Sequence, residues 1–330
     1  MATNYLYGTI LTSEAVAANN RGDNIGNTTT LQKVFHQDDL HTSVSAESIR
    51  FAIRYRFQLE GMKVNREYDS GVGKLNYEDE KRTYWNSGGE VFIDDDLMGF
   101  MDAAAAKKET EEEAAEAADS ATEQTVPAKG AKKQRAKGTT TKRTSPLAIG
   151  RAVSLRPYRG ELSFNAVSGE KVKGKLSLYN AEMHTTEYQY SFGLNLNEVI
   201  QKENIGHVVD AIVDPPAVAG NHSRFAYDFS PSSIVLRVTN AHSSKIQNCF
   251  EHDEESRSYT VERLIQRIEG KDIPASELIV GGQLTMTDEG KKLASLGVTV
   301  VAGVKAAATE ARKRIAALGN GYEAVKPKED

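Results

Sequence analysis

Apolar positions along the chain mark out a small set of elements. Tyr5-Leu6-Tyr7-Gly8-Thr9-Ile10-Leu11 is aromatic and branched almost throughout and predicts a strand near the centre of a sheet. From Ala17 to Thr30 nearly every residue is small or polar, which predicts a long loop whose glycines let backbone approach a polar ligand closely. Ile49, Ala52, Ile53 and Phe57 then recur at helical spacing. Ser43 or Ser45 can cap that helix, and Glu47 suits its positive end. Arg50 and Arg54 lie one turn apart on another face. Tyr188, Tyr190, Phe192, Leu194 and Leu196 alternate with polar residues, the pattern of a strand with one face on a core. Asn195 with Glu198 predicts a helix start, and Ile205, Val208, Val209 and Ile212 give the stripe that Pro215-Pro216 ends. Ser233 to Val238 is apolar on both faces apart from Arg237, as in a central strand.

Beyond these, Val261, Leu264, Ile265 and Ile268 mark an amphipathic helix, Leu278 to Leu284 a strand, and Lys305 to Leu318 an alanine-rich helix. Tyr84-Trp85 and Val91-Phe92-Ile93 predict short extended pieces around Gly88-Gly89. Leu162 to Tyr179, with Lys171, Lys173 and Lys175 at strand spacing, predicts a protruding basic hairpin. Strand, helix, strand, helix, strand is an α+β pattern compatible with a ferredoxin-like or RNA-recognition-motif core. Composition changes abruptly from Ala103 to Arg143, where aromatic and branched residues nearly vanish and an acidic run precedes a basic one. Such a segment buries too little apolar surface to offset its ordering entropy. Residues 1–102 and 145–330 therefore form one elaborated domain with a disordered insertion at 103–144, and deleting Ala103 to Arg143 is expected to leave the fold intact.

The formal charge of −5 gives no global basic signature, so any contact with nucleic acid has to come from a local patch. Cys249 stands alone, which excludes an internal disulfide and a cysteine-rich zinc site. Neither a signal peptide nor a membrane-length apolar run is present, so a cytoplasmic protein is expected. A helix start with hydroxyls and two arginines one turn apart is a phosphate site in one interpretation and an ordinary solvated cap in the other. Asp94-Asp95-Asp96, on a strand, would point to opposite faces and could not converge on magnesium. His36, Asp38, Asp39 and His41 lack a third element to complete a zinc or hydrolytic site. With no nucleophile elbow, P-loop or helical zinc motif, the chain offers no catalytic constellation and implies no cofactor or metal.

Four pieces occurring in order are more specific than any of these alone. They are Tyr7 to Leu11 with Ala18-Asn19-Asn20-Arg21-Gly22; His41 to Glu47 with Ile49-Arg50; Glu182-Met183-His184-Thr185-Thr186 with Tyr188; and Phe229 to Arg237. Asp94 to Gly99 is a fifth. Together they resemble the CRISPR-associated autoregulator or DevR family, the backbone subunit of type I-B Cascade-like effector complexes. The resemblance implies a modified RNA-recognition-motif palm, a thumb hairpin at about 162–187 and helical fingers. It also implies a non-catalytic homo-oligomer along a CRISPR guide RNA, which pairs with target DNA, beside cap, large and guide-processing subunits.

Residues placed by that resemblance to face RNA are Asn19, Asn20 and Arg21 in the first loop, and Ser43, Ser45, Arg50 and Arg54 at the helix. Lys171 and Lys173 on the thumb, His184, and Asn221, His222 and Arg224 in a second loop complete the set. A subunit holding any guide sequence should grip phosphate and sugar. Because the usual sheet aromatics are not evident, the sheet is not expected to be the surface that reads RNA. Two rivals remain: a nuclease of the type III kind using Asp23, Asp38 or Asp39, and a transcriptional regulator, for which no helix-turn-helix is present.

Overall fold

The computed structural model describes residues 3–18, 20–36, 38–101, 142–166, 178–219, 226–255 and 258–327. Nine strands make the central sheet: β1 Tyr5–Thr12, β2 Lys33–His36, β3 Asp39–Val44, β4 Leu147–Ile149, β5 Ala152–Ser154, β6 Tyr188–Asn195, β7 Pro231–Thr239, β8 Leu278–Gly282 and β9 Thr299–Val301. Their order is β9-β8-β7-β1-β6-β5-β3-β2, and β4 joins the Leu194 end of β6. The described helices are α1 Ala46–Leu59, α2 Thr83–Ser87, α3 Ile93–Met98, α4 Glu203–Val213, α5 Glu262–Glu269, α6 Asp288–Ser295 and α7 Val304–Ala316. Stripped to β1, α1, β4 with β5, β6, α4 and β7, the chain is an antiparallel β-α-β-β-α-β unit with β1 and β6 in the middle. The strands β8 and β9 widen it at one side, and β3 and β2 at the other.

Alternation along β1 serves two cores. Leu6 and Ile10 turn toward α1, α4 and α7, whose buried faces carry Ile49, Ile53, Phe57, Ile205, Val208 and Ala311. Leu11 turns the other way, toward α5 and α6 with Leu264, Ile265 and Leu293. Ser45 caps α1, its Oγ accepting from the Ser48 amide at 3.2 Å. On β6 the polar face is closed as well. Gln189 exchanges hydrogen bonds with the Phe250 backbone, donating at 2.9 Å and accepting at 3.3 Å, so the 246–250 loop covers positions whose alternation predicts solvent.

Several expectations change. The polar stretch from Ala17 to Thr30 is mostly paired backbone: Asn20–Ile25 and Thr28–Leu31 form a hairpin across Gly26-Asn27, with Gly26 at φ 62°. Its ladder continues into Leu178–Thr186, where Asn180 sits opposite Thr28 and Thr29 opposite Ala181 in parallel register. Glu161–Ala166 completes that small sheet on the other side of Leu178–Thr186. The pieces read as extended around Gly88-Gly89 are the short helices α2 and α3, with Gly88 ending α2 at φ 72°. Helix α4 begins at Glu203, well after Asn195.

At the start and end of residues 102–141, which lie outside the described set, Phe100–Met101 pairs antiparallel with Lys142–Arg143. Arg143 also reaches the Asp96 carboxylate at 2.6 Å, so a deletion carried through Arg143 would remove a buried ion pair. Replacing residues 103–140 by a short Gly/Ser connector is expected to keep a single cooperative melt within about 1 kcal/mol of the parent. Loss of cooperativity would show that the segment contributes to the core.

Candidate nucleic-acid interface

Built upward from the predicted residues, the site divides into groups that the chain already engages and groups at the surface. Ser43 is fully buried on β3, and its Oγ accepts from exposed Arg151 Nη1 at 3.3 Å. Ser45 is buried as the α1 cap. Arg50 Nη1 donates to the Leu147 carbonyl at 2.9 Å and Nη2 to the Met98 carbonyl at 2.8 Å, tying α1 to β4 and to the end of α3. Arg54 lies 3.3 Å from the Asp94 carboxylate, and burial together with the neighbouring Arg66 charge lowers its pKa to about 10. Both guanidiniums thus hold the fold together.

What they hold is a buried ionic cluster that the sequence interpretation placed on a strand. In helical conformation, all three carboxylates of Asp94, Asp95 and Asp96 are completely buried. Asp94 accepts from the Asn65 and Arg66 amides at 2.7 and 3.2 Å and pairs with the Arg66 and Arg54 guanidiniums. Asp95 accepts from Asn65 Nδ2 and the Tyr84 hydroxyl, both at 2.7 Å, and pairs with Arg66 and Arg82 at 3.3 Å. Asp96 accepts from the Ile200 and Gln201 amides just ahead of α4 and from Asn204 Nδ2, at 2.9, 3.1 and 2.9 Å. It thereby supplies from another segment what Asn195 was expected to supply locally. Among the described residues no group of three or more His, Cys, Asp or Glu could hold a metal ion.

His184 is interior too. Its Nδ1 lies 2.8 Å from Thr42 Oγ1, which also bonds the Tyr188 hydroxyl at 2.8 Å, and the side chain is 3 % exposed. Burial lowers its pKa to about 4; the His41 and Arg156 charges act in the same direction, and a bond to the Pro157 backbone opposes them. With an ordinary unfolded value, the unfolded chain binds the extra proton between about pH 6.5 and 4. Stability is therefore expected to fall as pH drops through that window, by up to about 3 kcal/mol from this group. His184→Gln should flatten the difference in urea midpoint between pH 7 and pH 4.5. An unchanged difference would place the acid sensitivity elsewhere.

Asn19, Lys171, Lys173, Asn221, His222 and Arg224 lie outside the described residues. Asn20 and Arg21 are described as backbone of the Asn20–Ile25 strand. Arg151, beside Ser43, is an exposed cation that the sequence did not single out; its signal is Gly150-Arg151 standing between two short apolar strands. Arg159, just past the other end of β5, is exposed as well. No helix among the described residues is long and apolar enough to cross a membrane.

This architecture is shared with solved chains of RNA-guided assemblies. A chain of a "CRISPR RNA-guided surveillance complex" superposes with a TM-score of 0.55 at 13% identity, covering 93% of this chain and 99% of that one. A second, from a "CRISPR RNA-guided surveillance complex, pre-nicking", gives 0.54 at 14% identity, covering 93% and 100%. At these identities the fold is what is shared: a mixed α+β class with several sheets. The family described as CRISPR-associated negative auto-regulator DevR/Csa2 matches residues 9–269. The "CRISPR-associated protein Cas7/Cst2/DevR" of Myxococcus xanthus (strain DK1622) is 35% identical over 321 residues, covering 94% of this chain and 97% of that protein. The chain belongs to the DevR/Csa2 family.

Proposed function

We propose that the chain is a non-catalytic backbone subunit of a type I-B CRISPR effector complex, lining up in several copies along a guide RNA and presenting it for pairing with target DNA. In that role the β-α-β-β-α-β unit is an RNA-recognition-motif palm. The paired strands Glu161–Ala166 and Leu178–Thr186 are the base of a thumb, and the α2 to α3 region forms the fingers. Cap, large and guide-processing subunits are its partners, and the cytoplasm is its setting.

The observation that carries this proposal is the span of the likeness. Nearly the whole chain, 93% of it, matches nearly the whole of a chain from RNA-guided complexes. The RNA path proposed here crosses the loop at Asn19 to Arg21, the start of α1 near Ser43 and Ser45, the expected thumb with Lys171 and Lys173, and Asn221, His222 and Arg224, while buried His184 backs it from inside. Arg151 joins that path; Arg50 and Arg54 support it from inside. Contacts of this kind go to phosphate and sugar and leave base edges available to the target.

Purification from cells coexpressing a CRISPR array tests the proposal. Guide RNA recovered on a high-mass particle with several copies of the chain is the expected result. A nucleic-acid-free chain, in the presence of its partner subunits, would overturn it; cleavage of bound target RNA would replace it with the nuclease interpretation.

A further inference from the structure

His36 and His41 lack a third element in the sequence, and the fold supplies one. The last residue of β2, His36, the end of β5, the 247–252 segment and α5 surround a cavity of about 170 Å³. At about 30 Å³ for each water, that is room for about six waters. It lies below the range of about 300–1,000 Å³ that takes drug-sized ligands. A nucleotide is too large for it, whereas a phosphate or a small carboxylate fits. None of the residues placed on the RNA path lines it.

Donors dominate its wall. Arg263 and Arg267, one turn apart on α5, line it against the single carboxylate of Glu251. Two guanidiniums against one carboxylate leave a surplus positive charge before any histidine is protonated. Both are held in place: Arg263 Nε pairs with Glu251 at 2.8 Å, and Arg267 Nη1 donates to the Lys245 carbonyl. Each keeps its other N–H donors. His252 Nδ1 donates to the Ser258 carbonyl at 3.1 Å, which leaves Nε2 for a ligand. His36 is steadied by the His41 ring, 5.3 Å away and at 90° to it, and His41 Nδ1 donates to the Ser154 carbonyl at 2.7 Å. The His36 imidazole and the exposed carboxamides of Gln247 and Asn248 make no hydrogen bond among the described residues. Buried Phe250 and Leu264 supply an apolar part of the wall, and a drier setting strengthens every charged contact.

We propose that this cavity binds one small free oxyanion of the phosphate class, held by the two guanidiniums, with His252, His36 and the 247–248 carboxamides donating to its remaining oxygens. The guanidinium fork matches the spacing of phosphate oxygens, and charge-assisted bonds of this kind are the strong ones. The surplus positive charge makes an anion, rather than a cation or a metal ion, the fitting occupant. Because the wall is drawn from β2, β5, α5 and the 247–252 segment, a bound anion ties α5 to the edge of the sheet. It therefore stabilises the folded chain by mass action.

Calorimetric titration of the full chain with inorganic phosphate at constant ionic strength tests the site. One saturable event per chain is expected, with a rise in the urea midpoint that chloride does not reproduce. Arg263→Gln with His252→Gln should weaken phosphate binding roughly tenfold or more. His36→Gln, which leaves the pair of Arg263 with Glu251 intact, should weaken it less. Saturating random-sequence single-stranded RNA should leave the phosphate affinity as it is, and the variants should bind RNA like the parent. Absence of saturable phosphate binding, or equal affinity in parent and variants, would overturn the proposal and leave a cavity filled by water. Displacement of phosphate by RNA, with the variants losing RNA affinity in step, would overturn it too, because the anion would then be a backbone phosphate of the RNA. Both results leave the function proposed above standing.

Discussion

Asp95→Ala is expected to remove about 3–5 kcal/mol of stability, read as a fall in the urea midpoint without a change in slope. The carboxylate is fully buried and takes hydrogen bonds from Asn65 Nδ2 and the Tyr84 hydroxyl while facing Arg66 and Arg82. Removing it strands the Arg82 guanidinium and two neutral donors at once and takes from Arg66 one of its two carboxylates. Arg82 has little freedom to escape to water: it is 7 % exposed, holds a backbone φ of 51° and lies over the Phe100 ring at 4.5 Å. Burial and the Asp95 hydrogen bond raise the Tyr84 pKa, which keeps its phenol a donor throughout the accessible pH range. Asp95→Asn should cost less, because an amide oxygen can still accept from Tyr84 while the charge pairing is lost. A fall below about 1 kcal/mol for the alanine variant would mean that water reaches the cluster and replaces the carboxylate.

That cluster also marks where the sequence stopped being legible. Tyr5 to Leu11, the Ile49-Ile53-Phe57 stripe and Ser233 to Val238 announce themselves because each element's burial is written in its own period. Asp94 to Asp96 could not, because six residues are too few to show a helical period, and their partners come from Asn65, Arg66, Arg82, Arg143 and Asn204. The Asn20–Ile25 and Thr28–Leu31 strands are held by ladder pairing, Asn20–Ile25 to Thr28–Leu31 and Thr28–Leu31 to Leu178–Thr186, and their polar residues leave no alternation to detect. The family was legible from short motifs in order, yet motifs do not say which way a side chain faces. Ser43 and His184 belong to two of them and are buried. Arg151 belongs to none and is exposed, as are Gln247 and Asn248.

The same distinction predicts opposite behaviour for two sets of arginines. Arg50→Ala with Arg54→Ala strips donors from the Met98 and Leu147 carbonyls and a counter-charge from Asp94, and is expected to cost about 3–5 kcal/mol of stability. Any accompanying loss of RNA affinity should follow the folded fraction, and the slope of log affinity against log salt should be that of the parent. Arg151→Ala removes one weak hydrogen bond to Ser43 from an exposed side chain and should change stability by no more than about 0.5 kcal/mol. Its effect belongs in the salt dependence, where one lost phosphate contact on a single strand lowers the slope by about 0.7. Measuring both variants by urea melt and by RNA titration over a range of salt sorts the cationic residues without a structure of the complex. If the double variant flattened the slope while melting like the parent, Arg50 and Arg54 would be RNA ligands after all, and the buried geometry that occupies them would have to open when RNA binds.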